Sequence, residues 1–139
     1  MTMLAERVDV VIGVDTHKHT HTAAVVTAGT GAAVEDLTVK QRLFADLSRH
    51  LGPTAILATN TSSLSIDDIG QLASRRERVV GMHFFNPVEK MPLVEVIAGS
   101  LTGESVVRTA TAFARRLGKT PVIVRDAPGF LVNRLLAFY

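Results

Sequence analysis

Between Asn60 and Glu95, three polar clusters each sit at the end of, or inside, an apolar β-like run, and this placement constrains the fold most. The clusters are Asn60-Thr61-Ser62-Ser63-Leu64, then Gly81-Met82-His83-Phe84-Phe85-Asn86-Pro87, then Leu93-Val94-Glu95-Val96-Ile97. Ala55 to Ala58 reads as a short buried strand whose carboxyl end delivers Asn60 and Ser62. Val79 to Phe85 reads as a second strand, ending in His83 and Asn86. In open α/β sheets, ligands bind outside the carboxyl ends of the strands, so the placement of Asn60 and Ser62 is consistent with a site.

Each cluster carries a group suited to proton transfer: a hydroxyl, an imidazole, a carboxylate. A histidine acting as general base near neutral pH needs a fixed tautomer and stabilisation of its imidazolium form. A carboxylate on one ring nitrogen supplies both. The loop Asn86-Pro87-Val88-Glu89-Lys90-Met91-Pro92, bracketed by prolines, can set two strands side by side and bring Glu95 under His83. Taken alone, the same pair also describes a buried histidine satisfied by its neighbour. Ser62 and Ser63 alone describe turn and cap chemistry.

The rest reads as scaffold. Thr38 with Gln41 fits a capping box, and Val39, Leu43, Leu47 and Leu51 make one apolar helix face that Gly52-Pro53 ends. Ser65 caps a short helix with Ile66, Ile69 and Leu72 inward. Thr102 and Glu104 start a longer one, with Val106, Ala110, Phe113 and Leu117 on one face and Gly118 as its stop. Pro121 to Val124 reads as a buried strand, Asp126-Ala127-Pro128-Gly129 as a turn, and Phe130 to Tyr139 as the start of a helix.

At 139 residues the chain is one domain at most, and 47% apolar residues suit a globular core. No apolar run reaches the ~18 residues of a membrane helix. The N-terminus, with Glu6, Arg7 and Asp9, lacks a signal-peptide pattern, so a cytoplasmic protein is expected. The chain has no cysteine, which excludes disulfides, thiolate metal sites and a thiol nucleophile. A net charge of +2 is mild. The clusters Arg75, Arg76, Arg78 and Arg115, Arg116, Lys119 read as solvated surface rather than the broad basic stripe of a nucleic-acid protein.

The four motifs Asn60-Thr61-Ser62-Ser63-Leu64, His83-Phe84-Phe85-Asn86-Pro87, Leu93-Val94-Glu95-Val96-Ile97 and Asp126-Ala127-Pro128-Gly129-Phe130-Leu131-Val132-Asn133-Arg134 occur in this order and at these spacings. Together the series resembles the L-3-hydroxyacyl-CoA dehydrogenase family of fatty-acid β-oxidation, from Glu35 to Tyr139. The resemblance implies an α/β fold: a partial Rossmann-like, doubly wound sheet that lacks the first βαβ half and the C-terminal helical domain. It implies NAD as cofactor and a 3-hydroxyacyl-CoA substrate. By the same resemblance His83 and Glu95 are the catalytic pair, Ser62, Asn133 and Asn86 serve the substrate, and Glu35, Lys40 and Asn60 serve the cofactor. A second copy of the chain is the implied protein partner. With the glycine-rich loop replaced, turnover by this chain is expected to be trace or nil.

Residues 1–34 follow another pattern. Val8 to Val14 is an apolar strand broken by Gly13, Asp15 follows, and Ala23 to Val26 is a second strand. This opening resembles the IS110-type transposases, in which Asp15 would match the first metal-binding acid. His17, His19 and His21 alternate, so one strand face would carry all three; a polar face is the reading preferred over a metal site. Gly29-Thr30-Gly31 imitates the start of a dinucleotide fingerprint, but its third glycine falls at Val34, and a turn is expected. The domain reading is thus 1–34 and 35–139. The alternatives to the dehydrogenase function are a non-catalytic fusion remnant or, less favoured, a transposase-related nucleic-acid protein.

Overall fold

The computed structural model describes residues 36–138, together with the backbone of the strands Val10–Thr16 and Thr20–Val26. In chain order the strands are β1 (Val10–Thr16), β2 (Thr20–Val26), β3 (Ala55–Thr59), β4 (Val79–Phe84), β5 (Leu93–Ala98) and β6 (Thr120–Arg125). The helices are α1 (Leu37–His50), α2 (Ile66–Ile69), α3 (Glu104–Arg116) and α4 (Val132–Leu136), with 3-10 turns at Gly70–Leu72 and Arg76–Arg78.

These strands form one sheet in the order β2-β1-β3-β4-β5-β6. β3 pairs with β4, and β5 with β6, in parallel. β1 runs antiparallel to both β2 and β3. β5 runs antiparallel to β4. The sheet is therefore mixed, with a parallel pair at its centre. Since β1 opposes both neighbours, β2 runs in the direction of β3, and its carboxyl end reaches the same end of the sheet as Asn60.

Strand pleating sends alternate residues to opposite faces, and the two faces pack differently. Leu57, Val79 and Ile97 join Phe44 of α1, Ile66 and Ile69 of α2, and Phe130 in one core. Ile56, Ala58, Val80, Met82, Val94 and Val96 join Val106, Val107, Ala110 and Ala114 of α3 in the other. Gly81 sits on the first face because there is no room for more. A Cβ there would lie 2.7 Å from Ile66 Cδ1 and 2.8 Å from Ile97 Cδ1.

Several local expectations are corrected. α1 is capped by Asp36, whose carboxylate accepts from Val39 N at 3.0 Å, not by a Thr38–Gln41 box. Gln41 instead donates to Asp68 O and Gln71 Oε1. The helix consequently buries Lys40, Phe44, Ala45 and Ser48, while Val39 is 48% exposed. Leu72 is exposed because the tighter 3-10 turn carries it off the inner face. Thr102 does not cap α3; its hydroxyl accepts from Gly99 N and donates to Val79 O, and Gly103 stands at the cap. β6 is an edge strand rather than a buried one: Ile123, in register with Val96 on the α3 face, is 58% exposed, and Val124 packs only partly buried against the other core. Ser65 Oγ does accept from Asp68 N at the start of α2.

Candidate active site

The ladder between β4 and β5 sets His83 directly opposite Glu95. Both point to the face of Leu57, Val79 and Ile97, where Glu95 interrupts an otherwise apolar row. His83 Nδ1 lies 2.8 Å from Glu95 Oε2, and the carboxylate is fully buried. An ionised carboxylate only accepts, so Nδ1 carries the hydrogen and Nε2 of the neutral ring is left as the acceptor. No buried side-chain nitrogen or oxygen among the described residues lacks a partner. Nε2, which no hydrogen bond engages, therefore keeps contact with solvent. Phe85 and Phe130 flank the imidazole at centroid distances of 4.4 and 6.0 Å and fix its plane.

A buried carboxylate needs compensation on every side. Glu95 Oε1 supplies the second half of it: it accepts from the backbone amides of Leu131 at 3.0 Å and Val132 at 2.9 Å. These amides open α4. The chain reaches them through two left-handed residues, Gly129 (φ 72) and Phe130 (φ 45). A left-handed phenylalanine is uncommon and strained; its ring is held by burial in the core. Sequence reasoning read the turn at Asp126–Gly129 but missed this second clasp. The glycine before an aromatic was the available signal.

Around the pair, Asn60 leaves the carboxyl end of β3 and accepts from Phe84 N with Oδ1 at 3.2 Å, which ties it to the residue after His83. Lys40 is 2% exposed, and its Nζ donates to Asn60 O at 3.1 Å. Asn133 Nδ2 donates to Ser62 O at 3.1 Å, bringing α4 against the loop after β3. His83, Glu95, Asn60, Lys40, Ser62 and Asn133 are thus joined in one neighbourhood. Asn86 is exposed just beyond β4, and among the described residues no hydrogen bond joins it to that group. Asp126, also missed, organises α2: its Oδ2 accepts from Ser65 Oγ at 2.7 Å and Asp67 N at 2.9 Å.

Glu35, His17, His19 and the turn Gly29-Thr30-Gly31 fall outside the described residues. Asp15 pairs in register with His21 at the end of the sheet away from His83, since Val14 is already opposite Ala55. Of the basic clusters, Arg78 donates to Thr54 O and Ala55 O, and Lys119 donates to Val88 O and to Met91 O, so both are partly structural. No helix among the described residues is long and apolar enough to cross a membrane.

With the geometry in place, the likeness to known proteins is specific. A curated relative, the fatty acid oxidation complex subunit alpha of Shewanella oneidensis, is 54% identical over 108 residues. Those residues are 78% of this chain and 15% of the relative. The crystal structure of 3-hydroxybutyryl-CoA dehydrogenase from Escherichia coli superposes with a TM-score of 0.72 at 46% identity, covering 74% of this chain and 22% of that one. The (S)-3-hydroxybutyryl-CoA dehydrogenase from Ralstonia eutropha gives 0.72 at 42% identity, covering 76% and 37%. The chain therefore spans well under half of the relatives it resembles. Residues 3–127 match the family described as 3-hydroxyacyl-CoA dehydrogenase, NAD binding domain, and this α/β chain belongs to that family.

Proposed function

We propose that the chain carries the proton-transfer site and the nicotinamide side of an NAD-dependent L-3-hydroxyacyl-CoA dehydrogenase of fatty-acid β-oxidation. One observation carries the reading: the buried His83–Glu95 pair at the carboxyl end of β4, with both carboxylate oxygens engaged. The substrate hydroxyl gives its proton to His83 Nε2. Glu95 holds the ring in the tautomer that can accept it and stabilises the imidazolium that results. Ser62 and Asn133, with Asn86 beyond them, serve the substrate and hold its reacting carbon near the imidazole.

The described residues fit the reactive end of NAD. A buried lysine and an asparagine meet at the carboxyl end of a parallel strand pair, beside the imidazole. Lys40 and Asn60, with Glu35, would hold that end. NAD held there would supply the acceptor for the C3 hydride that the alcohol loses in becoming a 3-oxoacyl-CoA. On this reading the chain acts in the cytoplasm on an acyl-CoA thioester, as a homodimer.

A second reading has its own observation. β1 runs against its neighbours, so it brings no carboxyl end to the site beside β3 and β4. In that reading the pair survives as geometry in a non-catalytic remnant. Titrating the labelled chain with NADH separates the two. The dehydrogenase reading expects saturable shifts at His83, Asn60 and Lys40, and a His83→Gln loss of roughly 10²–10⁴ in any turnover of 3-hydroxybutyryl-CoA. Spectra that ignore NADH, with no turnover, would sink it.

For the domain organisation we propose separate origins for 1–34, of transposase type, and 35–139. The 108-residue extent of the curated matches and the reversed direction of β1 support this. The family match starting at residue 3 opposes it. Sequencing the locus decides the matter: two intact genes misjoined there would overturn a fusion.

A further inference from the structure

α4 has five residues, none of them buried. A helix that short has no stability of its own. Yet the amides at its start are half of what compensates the charge of Glu95. Something must hold them there. Behind them, Phe130 is anchored in the core and Phe130 N donates to Ala127 O at 2.8 Å. Arg134 N also donates to Gly129 O at 3.1 Å and ties the left-handed pair to α4, but neither bond fixes α4 itself against the sheet, so the helix and its first two amides could swing away from the carboxylate together. On the far side of those amides is Asn133, whose side chain reaches across to the Ser62 carbonyl.

We infer that Asn133 is a positioning residue for the His83–Glu95 pair. By donating to Ser62 O it pins the first turn of α4, keeps the Leu131 and Val132 amides on Glu95 Oε1, and so leaves Oε2 aimed at His83 Nδ1. The loop after β3 and the base on β4 are thereby coupled through one carboxylate. Asn133 acts on the base from behind, in addition to any contact it makes with substrate. The significance for catalysis rests on the dehydrogenase reading; the clamp itself does not.

The test uses the full ¹⁵N-labelled chain and two signals: hydrogen exchange of the Leu131 and Val132 amides, and the Nδ1–H resonance of His83. In Asn133→Ala, and in the isosteric Asn133→Asp that loses the donor, both amides should exchange roughly tenfold faster, as expected for one lost hydrogen bond in a local opening. The His83 resonance should shift or broaden, while the Val80 and Val96 amides stay protected. A purely structural contact would move the helix signals and leave His83 alone. Unchanged amides and an unchanged His83 signal would overturn the clamp. Should both variants unfold, the unsubstituted chain still decides: Leu131 and Val132 must exchange more slowly than Ala137 and Phe138, and equal rates overturn the proposal. None of these readouts needs turnover. A chain that holds the clamp and ignores NADH sinks the dehydrogenase reading alone.

Discussion

The two faces of the sheet solve different problems with the same strands. Under α3, β3, β4 and β5 present Ile56, Ala58, Val80, Met82, Val94 and Val96, an unbroken apolar layer. On the opposite face the same strands present Leu57, Thr59, Val79, Gly81, His83, Glu95 and Ile97, in which polar groups alternate with apolar ones and are buried as deeply. One face is held by area removed from water alone; the other adds to its apolar core a set of hydrogen bonds that must all be made together. The first tolerates loss by degrees; the second fails when one member goes.

Substitutions that break this contrast differ in size. Glu95→Ala should cost the most, about 3–5 kcal/mol, because it leaves the His83 Nδ1–H and two backbone amides without their acceptor. Chemical denaturation would measure it; a loss under 1 kcal/mol would mean that water enters freely. Met82→Ala, on the apolar face, should cost about 2–5 kcal/mol for its cavity while the His83 Nδ1–H signal stays in place. A moved signal would mean that the faces are not independent. Gly81→Ala should cost about 1–3 kcal/mol by overpacking Ile66 and Ile97, and should perturb His83 by shifting the row on which Glu95 sits. Asp36→Ala belongs to neither face. It removes the α1 cap, for about 1 kcal/mol, and its thermal shift should leave both sets of signals where they were.

What the sequence made legible follows the range of each interaction. The motif series Asn60–Leu64, His83–Pro87, Leu93–Ile97 and Asp126–Arg134 carried the family and the α/β class, and the strands at Ala55, Val79 and Leu93 lie where their apolar runs put them. Caps were less legible. Asp36 and Thr38 both satisfy the local rule, and only the tertiary seat of Lys40 and Phe44 chooses between them. β6 reads as buried because its apolar run says nothing of a missing neighbour. The second clasp on Glu95 depends on two left-handed residues, of which only Gly129 leaves a mark in the sequence, since nothing in a phenylalanine announces that backbone. The direction of β1 was not legible either, since apolar alternation is the same read from either end.

The opposition of His83 and Glu95 across the β4–β5 ladder has a consequence for inheritance. Pleating makes their partnership a matter of parity: one residue of slip faces His83 with Val94 or Val96 and turns Glu95 toward α3. Insertions and deletions are thus filtered by odd and even. The stretch from Phe85 to Pro92, outside the ladder and tethered by Lys119 at Val88 and Met91, is where length can change without altering parity. Descendants of this chain can drift in that loop's spelling and size, while the two flanking strands must be copied in step.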